Sequence, residues 1–406
     1  MKSVTVDSPA GTITYTDRKR WLWIMSMVYP LIGVTGVIAH AWSEHEIGVA
    51  LPLLLAYTVI PFLDFALGED LNNPPEEVVS ELEADEYYRR LLHITAPLHF
   101  ISFFVAAWWV GTQSLSWWAM LIMAVSAGMA SGLAINTAHE LGHKANMFDR
   151  LIAKIVLAVP GYGHFCIEHN AGHHRQVATP EDSASSKMGE NIYAFAMREI
   201  PGGFKRGWQL EKKRLQRRGV PVWSLQHNDV LQSYAMTAVM QIGLIIAFGW
   251  IMVPFLLIHN FEAWWQLTSA NYIEHYGLVR SKKDNGKYEH CQPHHSWNSN
   301  HIFSNLVLYH LERHSDHHAH PTRHYQSLRH FEHLPTLPNG YFGSYMLAYI
   351  PPLWYHFMDP KLVDLKHVQR DADKLNILPA KRAALIERFK LKSGDSAGDT
   401  SVAAAA

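Results

Sequence analysis

Histidines at short, repeated spacings are the feature of this sequence most able to do chemistry. His139 and His143 stand four apart in TAHELGHK; His169, His173 and His174 share EHNAGHH; His314, His317 and His318 share RHSDHH. On a helix, spacings of three and four bring side chains to one face, roughly 6 Å apart, so each set can point at a common centre. His275, in NYIEHYG, follows an apolar run closely enough to join them. Nine imidazoles exceed what one ion with an open position can use, so the pattern predicts two metal ions. Cys166 and Cys291 are the only cysteines, too few for a disulfide framework, a four-cysteine zinc site or an iron–sulfur cluster.

HELGH also satisfies H-E-x-x-H, the zinc-protease pattern in which the glutamate, here Glu140, is the general base. That reading needs two or three ligands and leaves the other clustered histidines without a role. With two ions, Glu140 instead becomes a partner for the outer N–H of a ligating ring, a task also open to Glu168, Asp182, Glu274, Glu312 and Asp316. Glu274 is the first choice, because it adjoins His275 at the end of an apolar run. His290, His294, His295, His301, His310, His320, His324, His330 and His333 are expected to be structural.

The elements that must position these residues are membrane helices. Of the 406 residues, 48% are hydrophobic, and they are clustered rather than spread. Six runs read as spans: Trp21 to His40, Ile47 to Leu67, Ile94 to Thr112, Trp117 to Ala138, Tyr234 to Trp250, and Pro254 to about Ala270. Twenty helical residues reach ~30 Å, the thickness of the bilayer core. The sixth run is the weakest, being interrupted by His259, Asn260 and Glu262. Asp64 and Glu262, buried in apolar runs, should be hydrogen-bonded there or touch the substrate path.

The expected class is an all-α integral membrane protein with six spans and a helical, His-rich cytoplasmic cap. Residues 1–20 form an N-terminal segment, 21–138 the first four spans, and 139–232 a cytoplasmic region with two His motifs. Residues 233–271 form the last two spans, 272–392 carry the remaining ligands, and 393–406 have linker composition. Lys and Arg flank the N-terminus and the second loop and fill the regions after the fourth and sixth spans, whereas AWSEHE and QSLS have none. By the positive-inside rule both termini and all the His clusters are cytoplasmic. Trp42, Trp108, Trp109, Trp117, Trp118 and Trp250 would form the outer aromatic belt. Residues 203–219 (GFKRGWQLEKKRLQRRG) read as a helix on anionic headgroups, a face that also suits an acidic electron-transfer protein. The net charge of -1 gives no sign of nucleic-acid binding.

The order HxxxH, HxxxHH, HxxHH resembles the integral-membrane desaturase and hydroxylase superfamily. HELGHK, EHNAGHHRQVATPEDSASS, NYIEHYGL and LERHSDHHAHPTRHYQSL are similar to the signatures of bacterial alkane 1-monooxygenases, and the resemblance runs from about Arg18 to Phe389. It implies a non-haem di-iron centre held by His139, His143, His169, His173, His174, His275, His314, His317 and His318. It further implies O2-dependent terminal hydroxylation of medium-chain n-alkanes at a bacterial inner membrane. Electrons would come from rubredoxin, separate or fused beyond the C-terminal linker, through an NAD(P)H-dependent rubredoxin reductase. An alkane offers no hydrogen bonds, so its recognition must come from an apolar channel, with the first, second, fourth and sixth spans as expected walls. A fatty-acyl desaturase or hydroxylase of the same architecture is the nearest alternative. A metal transporter fits less well, because it needs polar ligands at the midplane of the spans.

Overall fold

A computed structural model describes residues 3–9 and 11–393; the linker-like tail from residue 394 lies outside them. Apart from a hairpin at the N-terminus and isolated bridges, the regular elements of the described chain are helices. Its long elements are α1 (Leu22–Ser43), α2 (Glu46–Leu67), α3 (Glu86–Thr112), α4 (Trp117–Gly142), α5 (Met147–Ala158), α6 (Ile192–Arg217), α7 (Asp229–Phe248) and α8 (Met252–His275). Short helices follow, including α9 (His314–Ala319), α10 (Tyr341–Ala348) and α11 (Pro351–Val363).

Five of these, α1 to α4 and α7, are long and apolar enough to cross a bilayer. The sixth expected span is a continuous helix of 24 residues, α8, but its composition is more polar. Its polar side chains are used against other helices. His259 Nε2 lies 2.8 Å from Ser131 Oγ, Asn260 Oδ1 accepts from Gln241 at 3.1 Å, and Gln266 Nε2 donates to the Tyr57 hydroxyl at 2.7 Å. The two acids inside apolar runs are likewise bonded. Asp64 accepts the Ser304 backbone N–H at 2.9 Å, and Glu262 accepts from Gln266 at 2.6 Å.

Helix α4 is the axis of the bundle, and its sequence explains how. Ser116 caps it by accepting the Ala119 N–H, and from Ala124 onward small residues alternate with larger ones. Gly128 and Gly132 form a GxxxG pair, which lets a neighbouring backbone approach closely. A Cβ at Gly128 would stand 2.6 Å from the His259 carbonyl oxygen, and one at Gly132 would strike the Gln266 side chain. Helices α4 and α8 therefore run side by side, from tryptophan-marked starts (Trp117, Trp250) to histidine-bearing ends. Trp42, Trp117 and Trp250 are all more than two-thirds exposed. Gly128→Leu should abolish this approach, since backbone oxygen cannot move aside as a side chain can. The expected result is near-complete loss of monodisperse protein after detergent extraction, read by size-exclusion chromatography; a normal yield would refute the close packing.

Two elements add to the sequence reading. The N-terminal polar segment is structured, with Ser3–Ser8 pairing antiparallel with Gly11–Thr16. The basic stretch 203–219 is the second half of α6. Leu215 is buried, and Arg206 turns inward rather than joining the exposed Lys205, Lys212 and Lys213. Gly207 makes this possible: a Cβ there would sit 3.0 Å from His164 Cβ.

Candidate metal centre

All nine motif histidines converge, in two adjoining groups. The first holds His139, His143, His169, His174 and His317; the second holds His173, His275, His314 and His318. Within the first group the Nε2 atoms of His139 and His317 are 2.9 Å apart, those of His169 and His174 3.0 Å, and those of His174 and His317 3.1 Å. In the second, His314 Nε2 lies 2.8 Å from His318 Nε2 and 3.3 Å from His275 Nε2. A 3.3 Å approach of His173 to His318 completes it. His143 and His174 are half-buried and the other seven are buried.

The partition does not follow the motifs. His139 and His143, one α-turn apart at the end of α4, stay together. Residues 169–173 form a π-turn, and the extra residue per turn brings His169 and His174, five apart, to the same side. His173 is left facing the second group. On α9, His314 and His318 share a face and the intervening His317 points to the first group. Adjacent residues 173/174 and 317/318 thus serve different groups.

The residues present fit metal ions. Burial first, and the neighbouring imidazoles second, hold His169, His174, His314, His317 and His318 far below the usual histidine range. Neutral rings whose Nε2 atoms crowd together at 2.8–3.3 Å cannot all donate to one another. Lone pairs converging in a buried place need a cation.

Among the carboxylates, Asp182 has the ligand-supporting geometry. It accepts His173 Nδ1–H at 2.9 Å, Ser185 Oγ–H at 2.7 Å and Arg206 at 2.8 Å. Burial opposes its charge, but His173 and Arg206 outweigh that and hold its pKa far below the usual carboxylate range. Burial likewise lowers the His173 pKa, and Asp182 more than reverses the effect. Glu140 stands 3.8 Å from His139 Nδ1, beyond hydrogen-bond range. Glu274 is turned the other way: it accepts from the Tyr341 hydroxyl at 2.7 Å and lies 3.3 Å from the inner nitrogen of His314, not behind His275. Glu168 pairs with Arg206, Glu312 accepts the Tyr341 N–H, and Asp316 binds His320, Arg323 and the Arg329 N–H. Arg206 is the participant that the sequence reading missed. Its place in a basic run disguised it, and only the inward glycine face of α6 could have signalled it.

The remaining histidines lie outside both groups. His310 Nδ1 is 3.0 Å from the Tyr325 carbonyl oxygen, His301 meets Ser299 and His330 meets Asn300. Glu289, His294 and His295 make a third close set. There His295 Nδ1 accepts the Gln292 N–H at 2.9 Å, which leaves the ring proton on Nε2, facing Glu289 at 3.4 Å. That is a hydrogen-bonded imidazole rather than a free lone pair. His290, His324 and His333 belong to none of the three sets.

Known proteins are similar in sequence over nearly the whole chain. The chain is 53% identical to the alkane 1-monooxygenase of Pseudomonas putida over 99% of each chain. It is 52% identical to alkane 1-monooxygenase 1 of Alcanivorax borkumensis over 98% of this chain and 97% of that one, and 53% identical to the alkane 1-monooxygenase of Ectopseudomonas oleovorans over 96% of each. The chain belongs to the alkane 1-monooxygenase family. Residues 115–347 also match the family model described as fatty acid desaturase, which places the family in that wider group.

In this alkane 1-monooxygenase family member a cavity opens at the histidine end of the α4–α8 seam. Leu133, Leu267, Ala270, Leu308 and Leu311 give it an apolar wall, and His139, His169 and His314 stand at its foot. Helices α1 and α2 contribute no residue to this lining, contrary to the sequence expectation. They pack behind it: Tyr29 and Ile32 of α1 and Ala56 and Ile60 of α2 share one apolar cluster with Leu133, and Tyr57 of α2 is bonded to Gln266.

Behind α8, the buried Glu199 of α6 accepts from Thr268 at 2.7 Å and from Asn271 at 3.1 Å. Burial, chiefly, raises its carboxyl pKa to about 7, against the pull of the Thr268 hydrogen bond. A pKa above the unfolded value near ~4.3 means the protonated acid stabilises the fold. This stability is complete below the unfolded value and is lost as the pH rises through about 7. Glu199→Gln should therefore flatten the decline in thermal stability between the unfolded value and about pH 7, on the acid side of neutrality, measured by melting in detergent across pH. An unchanged slope would contradict the assignment.

Proposed function

We propose that the chain inserts one atom of O2 into the terminal C–H bond of a medium-chain n-alkane, giving a primary alcohol and water. Alkane, O2, two electrons and two protons are consumed per alcohol formed. The nine histidines are proposed to hold two iron ions, five rings from the first group and four from the second. Zinc does not serve here, because an unactivated C–H bond needs an oxidant made from O2 and hence a redox metal. Bound iron would supply the electrons and Lewis acidity for reducing O2.

The observation that carries this reading is the placing of two buried histidine groups at the foot of an apolar cavity. The protein's residues have defined tasks there. The neutral imidazoles add no negative charge, the aliphatic wall takes the hydrocarbon chain, and burial of the second group excludes water. Asp182 fixes His173 in the tautomer that presents Nε2. The alkane is proposed to arrive from lipid, with α8 completing six spans and the His cap cytoplasmic in a bacterial inner membrane. Rubredoxin, reduced by an NAD(P)H-dependent reductase, is the proposed electron donor.

The wider family description favours one second reading, oxidation of a fatty-acyl chain. Purified protein supplied with rubredoxin, its reductase and NADH should convert octane to 1-octanol and leave a fatty-acyl thioester unchanged. Turnover of only the acyl substrate would overturn the proposal.

A further inference from the structure

The cavity that receives the hydrocarbon is not wholly apolar: beside the histidines, Asn136, Gln266, Asn271, Glu274 and Tyr345 line it, and the amide oxygens of the first two are free. Asn136 and Gln266 both line it and both are more than nine-tenths buried. Asn136 Nδ2 donates to the Leu308 carbonyl at 2.7 Å, and a carbonyl can only accept, so the orientation of the amide is fixed. Gln266 Nε2 is committed to the Tyr57 hydroxyl and to Glu262. In each case the amide oxygen is left with no hydrogen-bond partner among the described residues. An unsatisfied buried acceptor is costly, about 1–3 kcal/mol in general, and nothing in an alkane can satisfy it.

Asn136 is three residues before His139 on the same helix, about 4.5 Å along its axis. Gln266 lies on the same cavity, two turns before Glu274. The free oxygens therefore begin within one turn of the metal-facing rings and continue up the seam. They can serve only a ligand with a polar hydrogen to donate. Two such ligands reach this place, water and the newly made alcohol.

We propose that Asn136 Oδ1 is a hydroxyl-binding subsite that accepts the O–H of the nascent primary alcohol, with Gln266 Oε1 as the next acceptor along the seam. The assignment rests on the hydroxylating function proposed above. Asn136 is on this account a product-binding residue.

The test is competition against octane turnover by the reconstituted holoenzyme. The inhibitors are 1-octanol and heptyl methyl ether, which has the same number of heavy atoms and no O–H, compared at matched concentration in the bilayer. One neutral hydrogen bond predicts that the alcohol inhibits about fivefold more tightly than the ether. Asn136→Leu should erase that difference, whatever its effect on the octane KM. A general disturbance of the cavity would move both inhibitors and octane together, so the alcohol-to-ether ratio isolates the hydroxyl. The wild-type ratio decides even where the variant fails to fold. Equal inhibition by alcohol and ether, or a preference that survives Asn136→Leu, would overturn the proposal. Equal inhibition together with slower octane turnover in Asn136→Leu would assign the oxygen to water instead. Absence of 1-octanol from octane in the wild type would overturn the hydroxylation reading, and this proposal with it.

Discussion

His317→Ala and His318→Ala, although neighbours in sequence, should each lower alkane hydroxylation by more than about a hundredfold, and for different reasons. Loss of a single partner behind a ligand costs 10–100-fold in general, so loss of a ligand itself should cost at least the upper figure. His318 belongs to the group of four and His317 to the group of five. Removing His318 leaves three imidazoles around one ion, the fewest that hold a catalytic metal, so that ion should be held more weakly and lost first to a chelator. Removing His317 leaves four rings, enough to retain metal, so iron content should fall less than activity does. Iron analysis together with Mössbauer spectra of both variants checks this. Identical iron loss in the two would refute the partition, and undiminished activity in either would refute the ligand set.

That partition marks the limit of what could be read from the sequence. Convergence of the histidines was legible because spacings of three and four on helices have a fixed geometry, and because apolar runs of twenty residues have few alternatives to spanning a bilayer. Division into groups was not, because it depends on a π-turn at 169–173. EHNAGHH carries no signal for that turn: an α-helix there would have paired His169 with His173. Glu274 illustrates a second limit. Adjacency in sequence to His275 placed it near the centre, but consecutive helical residues point about 100° apart, so adjacency says nothing about which nitrogen it meets. The polar composition of α8 has the same origin. A helix surrounded by protein on several sides can bury His259, Asn260 and Gln266 against partners on α2, α4 and α7, and hydropathy then under-reads it.

Asp182→Asn is the second change expected to have a large effect, and it separates the metal reading from the protease reading that HELGH first suggests. Asp182 binds three donors at once, His173 Nδ1, Ser185 Oγ and Arg206. Asparagine keeps the size and one acceptor oxygen but loses the charge. His173 then loses the charged partner that makes its ring a strong ligand, and Arg206 keeps Glu168 and Gln176. Metal affinity of the second group should fall 10–100-fold, seen as faster iron loss to a chelator and a matching fall in octane turnover. Glu140→Gln is the control. Glu140 stands 3.8 Å from His139 Nδ1 and so contributes no direct hydrogen bond to it. Its replacement should cost less than about tenfold, the lower bound for a bonded partner. If Glu140 were instead the general base of a zinc protease, Glu140→Gln would abolish activity and Asp182→Asn, remote from H-E-x-x-H in sequence, would be the milder change. The order of the two effects therefore distinguishes the chemistries without any assumption about which metal is bound.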